Sequence, residues 1–484
     1  MKLREIVEGL ALLGGTADPE TEIGGVSYDS RKTQPGDLFV AVRGFETDGH
    51  KYIPMAVQKG AAAVLCEEPP QDGTPWLQVA DCRLGLAIAS RNLFGNPAAE
   101  MTLIGYTGTS GKTSSTQILK HVLEETLGAK VGLIGTNGNM IGGELLHTEH
   151  TTPESYELHK LFRRMADEGC SHIVMEVSSH SLYLERVAGI EFDIGVFTNL
   201  SQDHLDLHGT MEEYAAAKKK LFSQCRCGIV NLDDEHAAYM MRGESCPFTT
   251  FSARRNDADL VAKDVRLTAA GVRFAAAGGG EIALAKLAIP GMFNVYNALS
   301  VLAVCRQLGI PLESAAAALG TAKGVKGRME HVPTDGDYSI IIDYSHKPDA
   351  LEKALKTLRP VTKGRLIVLF GCGGDRDRQK RPQMGAIAEQ NADLTIVTSD
   401  NPRTEDPQAI IDEILAGMKA RRGTVKVIVD REEAIRWAID NARSGDVILL
   451  AGKGHEDYQV VGREKHHMDE REIVAEYIER RKQA

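Results

Sequence analysis

Short apolar runs alternate with longer amphipathic stretches along most of the chain, which is the hydrophobic pattern of an α/β protein. The clearest example begins at Met101, where Met101, Leu103 and Ile104 form a short buried strand. The stretch that follows repeats apolar residues at helical spacing, and these residues are Ile118, Leu119, Val122, Leu123 and Leu127. We therefore predict a strand near 101–105 and then an amphipathic helix whose apolar stripe faces the core.

The same alternation recurs in three blocks of the chain. Residues 38–42 and 61–65 are strand-like runs in the first block, and 172–175 and 193–197 are buried-strand runs in the second. Four further apolar runs follow in the third block. A length of 484 residues, at about 150 residues per domain, agrees with three α/β domains built on parallel sheets. We place these domains at 1–98, 99–331 and 332–484.

Composition and charge narrow the class of protein. The chain is 43% hydrophobic and 25% charged, with a net charge of −11, which argues against bulk binding to nucleic acid or anionic lipid. Its eight cysteines form no C-x-x-C pair, so reduced thiols are expected. No signal core and no apolar run of about 18 residues occurs. We expect a cytoplasmic monomer that binds small molecules, without nucleic acid or membrane partners.

A phosphate-binding loop is predicted between the strand and helix described above. Its residues are Gly108, Thr109, Ser110, Gly111, Lys112 and Thr113. Backbone N–H groups and a helix N-terminus converge there on an anion; Lys112 can reach terminal phosphates and the Thr113 hydroxyl can bind Mg²⁺. Tyr106 stands where the Walker pattern has its first glycine, so the loop is one residue tighter. The alternative is an ordinary glycine-rich turn.

Polar residues follow the two neighbouring strands of the central block. Glu176 ends the run 172–175, and His204 lies in the segment after 193–197. Because ligands bind at the carboxyl ends of parallel strands, both should share an edge with the phosphate loop. Glu176 is placed as a carboxylate for Mg²⁺. His204 is a less usual magnesium ligand, and a core histidine or a catalytic orienter is the alternative.

Lys218 has an unusual position on the helix predicted over 211–222. The apolar arc of that helix consists of Met211, Tyr214, Ala217, Leu221 and Phe222. Lys218 falls in the middle of this arc, whereas Lys219 and Lys220 point away from it. An ammonium on an apolar face tends toward the neutral amine, which can react with CO₂ to form a metal-binding carbamate. The alternative is a lysine that snorkels to solvent.

Four polar clusters end the four apolar runs of the third block. They are Asp343-Tyr344-Ser345-His346, Gly371 to Arg376, Asp400-Asn401-Pro402-Arg403 and Gly452 to Glu456. We expect all four at one sheet edge. Arg376 and Arg403 can each clamp a carboxylate, and Asp400 and Glu456 can bind an ammonium, which together complement a zwitterionic amino acid.

Two further segments each have two interpretations when the residues alone are considered. Asn297 is expected to open a helix, where it could bind an adenine edge or simply cap the helix. Asp29-Ser30-Arg31 lies between a strand and a turn, where it could hold a ligand or form a solvated loop.

Taken together, the motifs resemble the Mur ligases of peptidoglycan synthesis over nearly the whole chain. The resemblance is carried by Thr-Gly-Thr-Ser-Gly-Lys112-Thr, Met-Glu176-Val-Ser-Ser, Asp203-His204-Leu-Asp206, Tyr214-x-x-Ala-Lys218, Asn294-x-x-Asn297, Gly327-Arg328-Met-Glu and Asp343-Tyr-x-His346. Within the family, three segments are similar to the ligases that add meso-diaminopimelate, since lysine-adding relatives lack the arginine of the last one. These segments are Thr151-Thr152-Pro, Gly-Cys-Gly-Gly-Asp-Arg376-Asp and Asp400-Asn-Pro-Arg403.

The resemblance implies a fold and a reaction. The fold would be a small N-terminal α/β UDP-binding domain, a central P-loop ATPase-type parallel sheet and a C-terminal Rossmann-like domain. The reaction would be ATP-dependent addition of meso-diaminopimelate to the D-Glu γ-carboxylate of UDP-N-acetylmuramoyl-L-Ala-D-Glu through an acyl phosphate. The cofactors would be ATP and Mg²⁺, together with a CO₂-derived carbamate on Lys218.

The resemblance also implies a role for each site residue. The muramoyl dipeptide nucleotide would be held by Ser30, Phe45, Glu46, Thr47, Thr151, Thr152, Ser178 and Arg186. ATP would meet the phosphate loop and Asn297, Arg328, Asp343 and His346. Diaminopimelate would be bound by Arg376, Asp400, Asn401, Pro402, Arg403, Gly452 and Glu456. The metal would be held by Thr113, Glu176, His204 and carbamylated Lys218, and the catalytic residues would be Lys112, Lys218 and His204.

Several other functions compete with this interpretation. A folylpolyglutamate synthetase should lack both the N-terminal domain and the Asp-Asn-Pro-Arg run. A P-loop switch or motor ATPase would have no use for the carboxylate-clamping cluster. A non-catalytic UDP-sugar binder need not keep Lys112, Glu176 and Lys218. Within the family, lysine-adding and MurF-type ligases compete most closely.

Overall fold

Three α/β regions follow one another along the chain, each built around a sheet that is mainly parallel. The structure is a computed structural model, and it describes residues 1–44, 47–148, 150–268, 270–419 and 424–483. The chain divides into two compact units, of which one comprises Met1–Val261 and Ser300–Ile310 and the other Ala262–Leu299 and Pro311–Ala484.

The N-terminal region of the first unit is a small sheet flanked by short helices. Its strands are β1 (Gly14–Gly15), β2 (Gly25–Ser27), β3 (Asp37–Val40), β4 (Ala63–Cys66) and β5 (Trp76–Gln78). Its helices are α1 (Leu3–Ile6), α2 (Ile53–Gln58) and α3 (Cys82–Leu93), with 3₁₀ turns at Gly49–Tyr52 and Pro97–Glu100. The strand order is β1-β5-β4-β3-β2, and only the β1–β5 pair is antiparallel.

The central region of the first unit alternates strands and helices as the hydrophobic pattern predicted. Its elements are β6 (Thr102–Thr107), α4 (Lys112–Leu127), β7 (Val131–Ile134), β8 (Asn139–Ile141), β9 (Glu144–Leu146), α5 (Ser155–Asp167), β10 (His172–Glu176), α6 (Ser179–Tyr183), β11 (Phe192–Phe197), α7 (Leu205–His208), α8 (Met211–Lys219), β12 (Cys225–Asn231), α9 (Ala237–Met241), β13 (Phe248–Ser252) and β14 (Leu260–Thr268), with a 3₁₀ turn at Phe222–Gln224.

The central sheet places its polar strand ends along one edge. Strands β13, β12, β11, β6, β10 and β7 are adjacent in that order and parallel. Because β6, β10 and β11 are neighbours, the phosphate loop, Glu176 and the segment after Phe197 lie at the same sheet edge. Four residues of the predicted α4 stripe are buried, but Leu127 is 44% exposed because it lies in the last turn, beyond the sheet-facing part.

The second unit contains a β-hairpin, a helical pair and a doubly wound sheet. Its elements are β15 (Gly271–Gly278), β16 (Glu281–Leu287), α10 (Met292–Gln307), α11 (Leu312–Thr321), β17 (Glu330–Val332), β18 (Ser339–Asp343), α12 (Pro348–Leu358), β19 (Leu366–Phe370), α13 (Lys380–Asn391), β20 (Leu394–Val397), α14 (Pro407–Leu415), β21 (Thr424–Val427), α15 (Arg431–Asp440), β22 (Val447–Ala451), β23 (Tyr458–Val461), β24 (Glu464–His467) and α16 (Glu470–Gln483), with a 3₁₀ turn at Arg359–Val361. Both β14 and α10 cross the boundary between the units along the chain.

The doubly wound sheet has the strand order β17-β18-β22-β19-β20-β21, and only β17 is antiparallel to its neighbour. The four predicted apolar runs are β18, β19, β20 and β22, and they are buried throughout their middle residues. Their carboxyl ends therefore bring the four polar clusters to one edge, as predicted.

One predicted helix boundary is wrong. Helix α10 begins at Met292, so Asn297 lies within it and does not open it. The Asn297 side chain is buried and donates to Asn294 Oδ1 at 2.9 Å, so it does not cap the helix N-terminus. The sequence suggested a later start because the alanine-rich, clearly helical stretch begins after Asn297.

The described residues include every cysteine of the chain and the helices that can be compared with the requirements of a membrane span. All eight cysteines are free, and seven of them are buried. No helix in the described part of the chain has the length and hydropathy needed for a membrane span.

Candidate active site

Only glycine fits at Gly108 in the loop between β6 and α4. A Cβ there would lie 2.0 Å from Thr198 Oγ1, and the residue has a positive φ of 147°. Asn199, just after β11, holds the loop from the other side, because Thr109 N donates to its carbonyl at 2.8 Å and Ser110 N to its Oδ1 at 3.0 Å. The loop is thus held at the sheet edge, with the N-terminus of α4 available to an anion.

Lys112 lies over this loop. Its Nζ donates to the carbonyls of Gly108 at 2.8 Å and Thr109 at 3.2 Å. The ammonium therefore lies within the space that the loop encloses. This position suits a residue that neutralises phosphate charge, and that role of Lys112 stays a prediction.

Glu176 is a buried carboxylate surrounded by neutral donors. It is 1% exposed and accepts hydrogen bonds from Thr113 Oγ1 at 3.0 Å, Thr136 N at 2.8 Å and Thr136 Oγ1 at 3.1 Å. No lysine or arginine among the described residues pairs with it. Glu176 is therefore a buried carboxylate without a cationic partner, and it is bonded to Thr113 of the phosphate loop. Such a carboxylate is suited to bind a divalent cation whose other ligands are phosphate and water.

The residues predicted to hold the muramoyl dipeptide in the central region form one network with Glu176. Thr152 Oγ1 donates to the Glu176 carbonyl at 2.8 Å and accepts from Ser178 N at 3.2 Å. Arg186 Nη1 donates to the Thr152 carbonyl at 3.1 Å. Thr151 Oγ1 lies 3.0 Å from Thr136 Oγ1. The structure therefore brings Thr151, Thr152, Ser178 and Arg186 together beside Glu176, and their role in binding the dipeptide stays a prediction.

Lys218 is buried on α8, with 1% of its surface exposed. Its Nζ donates to the Gly108 carbonyl at 2.9 Å and lies 4.6 Å from the centre of the Tyr214 ring. Burial, with a smaller contribution from the nearby Lys112 charge, lowers the pKa of Lys218 well below its ordinary value. Because the side chain is buried, the snorkelling alternative is wrong, and the amine is held beside the phosphate loop. Lys219 and Lys220 instead pair with Glu244 and Glu185 near the surface.

His204 is not a core histidine, because its side chain is 42% exposed. It occupies the left-handed backbone region at φ 52°, and its ring packs edge-on against His180, with centroids 4.8 Å apart. Within the described part of the chain, no three His, Cys, Asp or Glu side chains group closely enough to hold a metal. The role of His204 as a metal ligand stays a prediction.

The predicted nucleotide residues of the N-terminal region are described only in part. Phe45 and Glu46 lie outside the described residues. Ser30 follows β2, is buried, and contacts Met55 Sδ at 3.3 Å. Thr47 Oγ1 donates to the Tyr52 hydroxyl at 3.1 Å. Asp29 forms an ion pair with Arg31, which lowers the pKa of the Asp29 carboxyl.

In the second unit, the turn Asp400–Arg403 is anchored to the hairpin β23–β24. Arg403 N donates to the Val460 carbonyl at 3.1 Å, and Gly462 N donates to the Arg403 carbonyl at 2.8 Å. Arg403 has a positive φ of 49°, and its Nη1 donates to the Gly374 carbonyl at 2.7 Å. The turn is thus pinned on two sides, with the guanidinium directed toward the loop after β19.

The loop after β22 meets this turn at Asn401. Glu456 Oε2 accepts from Asn401 Nδ2 at 2.9 Å and from Lys453 Nζ at 3.1 Å. Gly452 lies against Asp400, since a Cβ on it would be 2.8 Å from Asp400 Oδ2. The structure therefore brings five of the predicted residues together at one sheet edge, as expected from the strand ends, and these are Asp400, Asn401, Arg403, Gly452 and Glu456. Arg376 is exposed and pairs with no described carboxylate, although its Cγ lies next to Gly373.

Three residues of the second unit that are predicted to meet ATP lie at or near Tyr344, and they are Arg328, Asp343 and His346. Arg328 stacks over the Tyr344 ring at 5.2 Å, and His346 Nδ1 lies 2.9 Å from the Tyr344 carbonyl. Asp343 Oδ2 accepts from Met329 N at 2.8 Å, and desolvation raises the pKa of this carboxyl. Desolvation also lowers the pKa of His346.

A cavity of about 760 Å³ adjoins the Asp400–Arg403 turn within the second unit. Of the predicted amino-acid site residues, its lining includes only Pro402 and Arg403. Neither Asn401 nor Glu456 lines the cavity, so the cavity shares only Pro402 and Arg403 with the predicted amino-acid site.

Sequence reasoning missed roles for Thr136 and Lys453. Thr136 follows β7 and bridges Glu176 and Thr151, and it could have been found by applying the strand-end rule to the run 131–134. Lys453 is fully buried between Asn401 and Glu456. Nothing in the local pattern marks it as buried, because Gly452-Lys453-Gly454 is typical of an exposed turn.

The first unit carries the site of a P-loop enzyme, and the second carries a separate edge of carboxylate, amide and guanidinium groups. The chain matches three family models: "Mur ligase family, catalytic domain" over residues 22–94, "Mur ligase middle domain" over 106–305 and "Mur ligase, glutamate ligase domain" over 327–454. It belongs to the Mur ligase family, and within that family it is of the MurE type.

Individual relatives agree over nearly the whole chain. The UDP-N-acetylmuramoyl-L-alanyl-D-glutamate–2,6-diaminopimelate ligase of Clostridioides difficile is 44% identical and covers 99% of both chains. The ligase of the same name from Caldanaerobacter subterraneus is 46% identical over 95% of this chain and 96% of its own. A solved structure of a ligase with that name has a TM-score of 0.78 at 32% identity, covering 100% of this chain and 99% of its own. The α/β fold prediction is confirmed.

Proposed function

We propose that this chain is an ATP-dependent ligase that joins meso-diaminopimelate to UDP-N-acetylmuramoyl-L-Ala-D-Glu during peptidoglycan precursor synthesis. The observation that carries the proposal is the Asp400–Arg403 turn, held at a sheet edge with Glu456 beside it. Its guanidinium, carboxylate and amide groups complement an amino acid with a second carboxylate. The names of the relatives from Clostridioides difficile and Caldanaerobacter subterraneus support the same substrates.

In the first step, an oxygen of the D-Glu γ-carboxylate attacks the γ-phosphorus of ATP, and ADP leaves. The product is an acyl phosphate. The phosphate loop would bind the triphosphate through its backbone N–H groups, and Lys112 would neutralise charge on the terminal phosphates. The threonines beside Glu176 and the nearby Arg186 would orient the dipeptide carboxylate for this attack.

Thr113, Glu176, His204 and a carbamylated Lys218 are the residues that would hold Mg²⁺. The ion would supply charge neutralisation where a carboxylate approaches a triphosphate. The buried Glu176 without a cationic partner and the buried Lys218 amine support this assignment. ATP would also meet Asn297, Arg328, Asp343 and His346.

In the second step, the free amine of diaminopimelate attacks the carbonyl carbon of the acyl phosphate. A C–N bond forms, the C–O bond to phosphate breaks, and the nitrogen loses a proton. Arg376 and Arg403 would bind substrate carboxylates while Asp400 and Glu456 would bind an ammonium. Residues 1–98 would bind the uridine nucleotide, 99–331 would bind ATP and 332–484 would bind the amino acid.

Phosphate release tests the proposal with each amine, in the presence and absence of the UDP-muramoyl dipeptide. We expect release only with ATP, dipeptide and diaminopimelate together. Lysine should be a poor substitute, because without a second carboxylate it leaves Arg403 unpaired. Release that is equal with lysine, or independent of the dipeptide, would contradict the assignment.

Arg403→Ala tests the carboxylate clamp. We expect the KM for diaminopimelate to rise about 10- to 100-fold, the loss expected for one charged hydrogen-bond pair. The KM for ATP should stay near that of the wild type. The matched control is Arg463→Ala, since Arg463 is an exposed arginine in the β23–β24 turn. Equal effects of Arg403→Ala on both KM values would rule out the clamp.

A further inference from the structure

Lys453 is a fully buried lysine at the carboxyl end of β22, in the loop that carries Glu456. Its Nζ donates to Asn401 Oδ1 at 3.0 Å and to Glu456 Oε2 at 3.1 Å. A buried ammonium is costly unless an anion and further acceptors surround it, and here both are present. Because it is 0% exposed, Lys453 is too enclosed to contact a substrate directly.

The contacts of Lys453 join two loops into one rigid unit. Asn401 Nδ2 donates to the same Glu456 Oε2 at 2.9 Å, so Lys453, Asn401 and Glu456 form a closed triangle. Asn401 Oδ1 also accepts from Val460 N at 2.9 Å, which ties the triangle to β23. The turn after β20 and the loop after β22 are therefore held in one register.

The triangle leaves one carboxylate oxygen available. Both side-chain donors to Glu456 bind Oε2, and no described residue donates a hydrogen bond to Oε1. The carboxylate is thus fixed by one oxygen while the other is presented. A fixed acceptor loses less conformational entropy when it binds a ligand.

We infer that Lys453 is a positioning residue for amino-acid recognition, which holds Glu456 by Oε2 so that Oε1 receives the ammonium group of the incoming amino acid. The inference rests on the proposed function and assigns to Lys453 no contact with substrate. It predicts that loss of the Lys453 ammonium affects the diaminopimelate site alone.

Steady-state kinetics of Lys453→Met in the full chain tests this role. The KM for diaminopimelate should rise about tenfold or more, as expected when a charged hydrogen bond that orients the acceptor is lost. The KM for ATP and for the UDP-muramoyl dipeptide, and kcat at saturating diaminopimelate, should stay within about threefold, since Lys453 touches neither ATP nor the reacting atoms. A purely structural role would lower the amount of active enzyme without a selective rise in the KM for diaminopimelate.

Lys465→Met is the matched control. Lys465 is exposed and lies 4.2 Å from the centre of the Tyr458 ring, whereas Lys453 lies 5.6 Å from the same ring on the buried side. This variant should keep the wild-type KM for diaminopimelate. An equal rise in both lysine variants would mean that the Tyr458 environment, and not Glu456, is responsible, which overturns the inference.

Glu456→Gln and the double variant with Lys453→Met complete the test. If the two residues act as one unit, the double variant should raise the diaminopimelate KM no further than the more severe single variant. Effects that multiply would show independent roles and overturn the inference. If Lys453→Met does not fold, Lys453→Gln keeps a neutral donor but removes the ammonium, and the same selective rise in the KM for diaminopimelate is expected. An unchanged diaminopimelate KM in either folded variant also overturns the inference.

The wild-type assay separates this inference from the proposed function. If the wild type releases no phosphate with diaminopimelate, the proposed function fails. If the wild type is active and Lys453→Met keeps its KM, only the positioning role fails.

Discussion

The ion pair between Arg431 and Glu470 connects the stability of the second unit to its amino-acid site. Both side chains are fully buried, with Nη2 and Oε1 2.8 Å apart. Arg431 also donates to the carbonyls of Ser399 at 3.3 Å and Ala451 at 2.9 Å. These two carbonyls immediately precede Asp400 and Gly452, so one guanidinium holds the ends of β20 and β22 together.

Arg431→Met should destabilise the second unit by about 3–5 kcal/mol, because it leaves the Glu470 carboxylate buried without a cation. Glu470→Met should cost a similar amount by leaving the guanidinium unpaired. The double variant removes both charges, so its loss of stability should be smaller than the sum of the two single losses by about 2 kcal/mol or more. The KM for diaminopimelate should nevertheless stay raised in the double variant, because the two carbonyls still lack their donor.

Urea unfolding followed by Trp437 fluorescence measures these stabilities in a Trp76→Phe background. The chain has two tryptophans, and Trp437 lies on α15 together with Arg431. Stability losses that simply add in the double variant would refute the ion-pair argument. A diaminopimelate KM that recovers together with stability would refute the link between this pair and the site.

Three further outcomes are expected elsewhere in the chain. Lys218→Ala should abolish turnover in the phosphate-release assay, and added acetate should partly restore it. Full activity without any additive would rule out the carbamate. Gly108→Ala should greatly weaken ATP binding in a nucleotide-binding titration, because its Cβ would lie 2.0 Å from Thr198 Oγ1; wild-type binding would contradict the loop geometry. His159 is buried with no hydrogen-bond partner among the described residues, and burial lowers its pKa from 6.5 to about 3. The folded state favours the neutral imidazole, whereas the unfolded chain binds a proton below pH 6.5. The free energy of unfolding should therefore be highest above pH 6.5 and decrease as the pH drops toward 3, with a loss of about 2 kcal/mol at about pH 5. His159→Leu should remove this acid sensitivity in urea unfolding while the exposed His466→Gln should keep it, and unchanged sensitivity in His159→Leu would contradict the burial argument.

Strand-end reasoning predicted much of both candidate sites before any contact was known. Parallel strands must end at a common edge, so Glu176 could be placed beside the phosphate loop, and Arg403 beside Glu456, from the order of apolar runs and polar clusters. Lys218 could be placed on the buried face of its helix because helical spacing is regular. Both rules use only the order and spacing of residues along the chain, and each of them allows few arrangements.

The partners of the buried charges could not be predicted in the same way. Asn297 was misplaced at a helix start, because a boundary depends on backbone hydrogen bonds and not only on residue type. Lys453 gave no signal, since its burial depends on Asn401, which is 52 residues away along the chain. The burial of Arg431 likewise depends on Glu470, at the start of α16.

Hydrophobic periodicity and residue type were therefore enough to set the α/β class, the phosphate loop and the polar ends of the strands. Only the packing of distant segments decided three further features. These are the oxygen by which Glu456 is held, the absence of a cationic partner for Glu176 among the described residues, and the burial of Lys453. The physical reason is that periodicity depends on neighbours in the chain, whereas desolvation and hydrogen-bond pairing depend on neighbours in space.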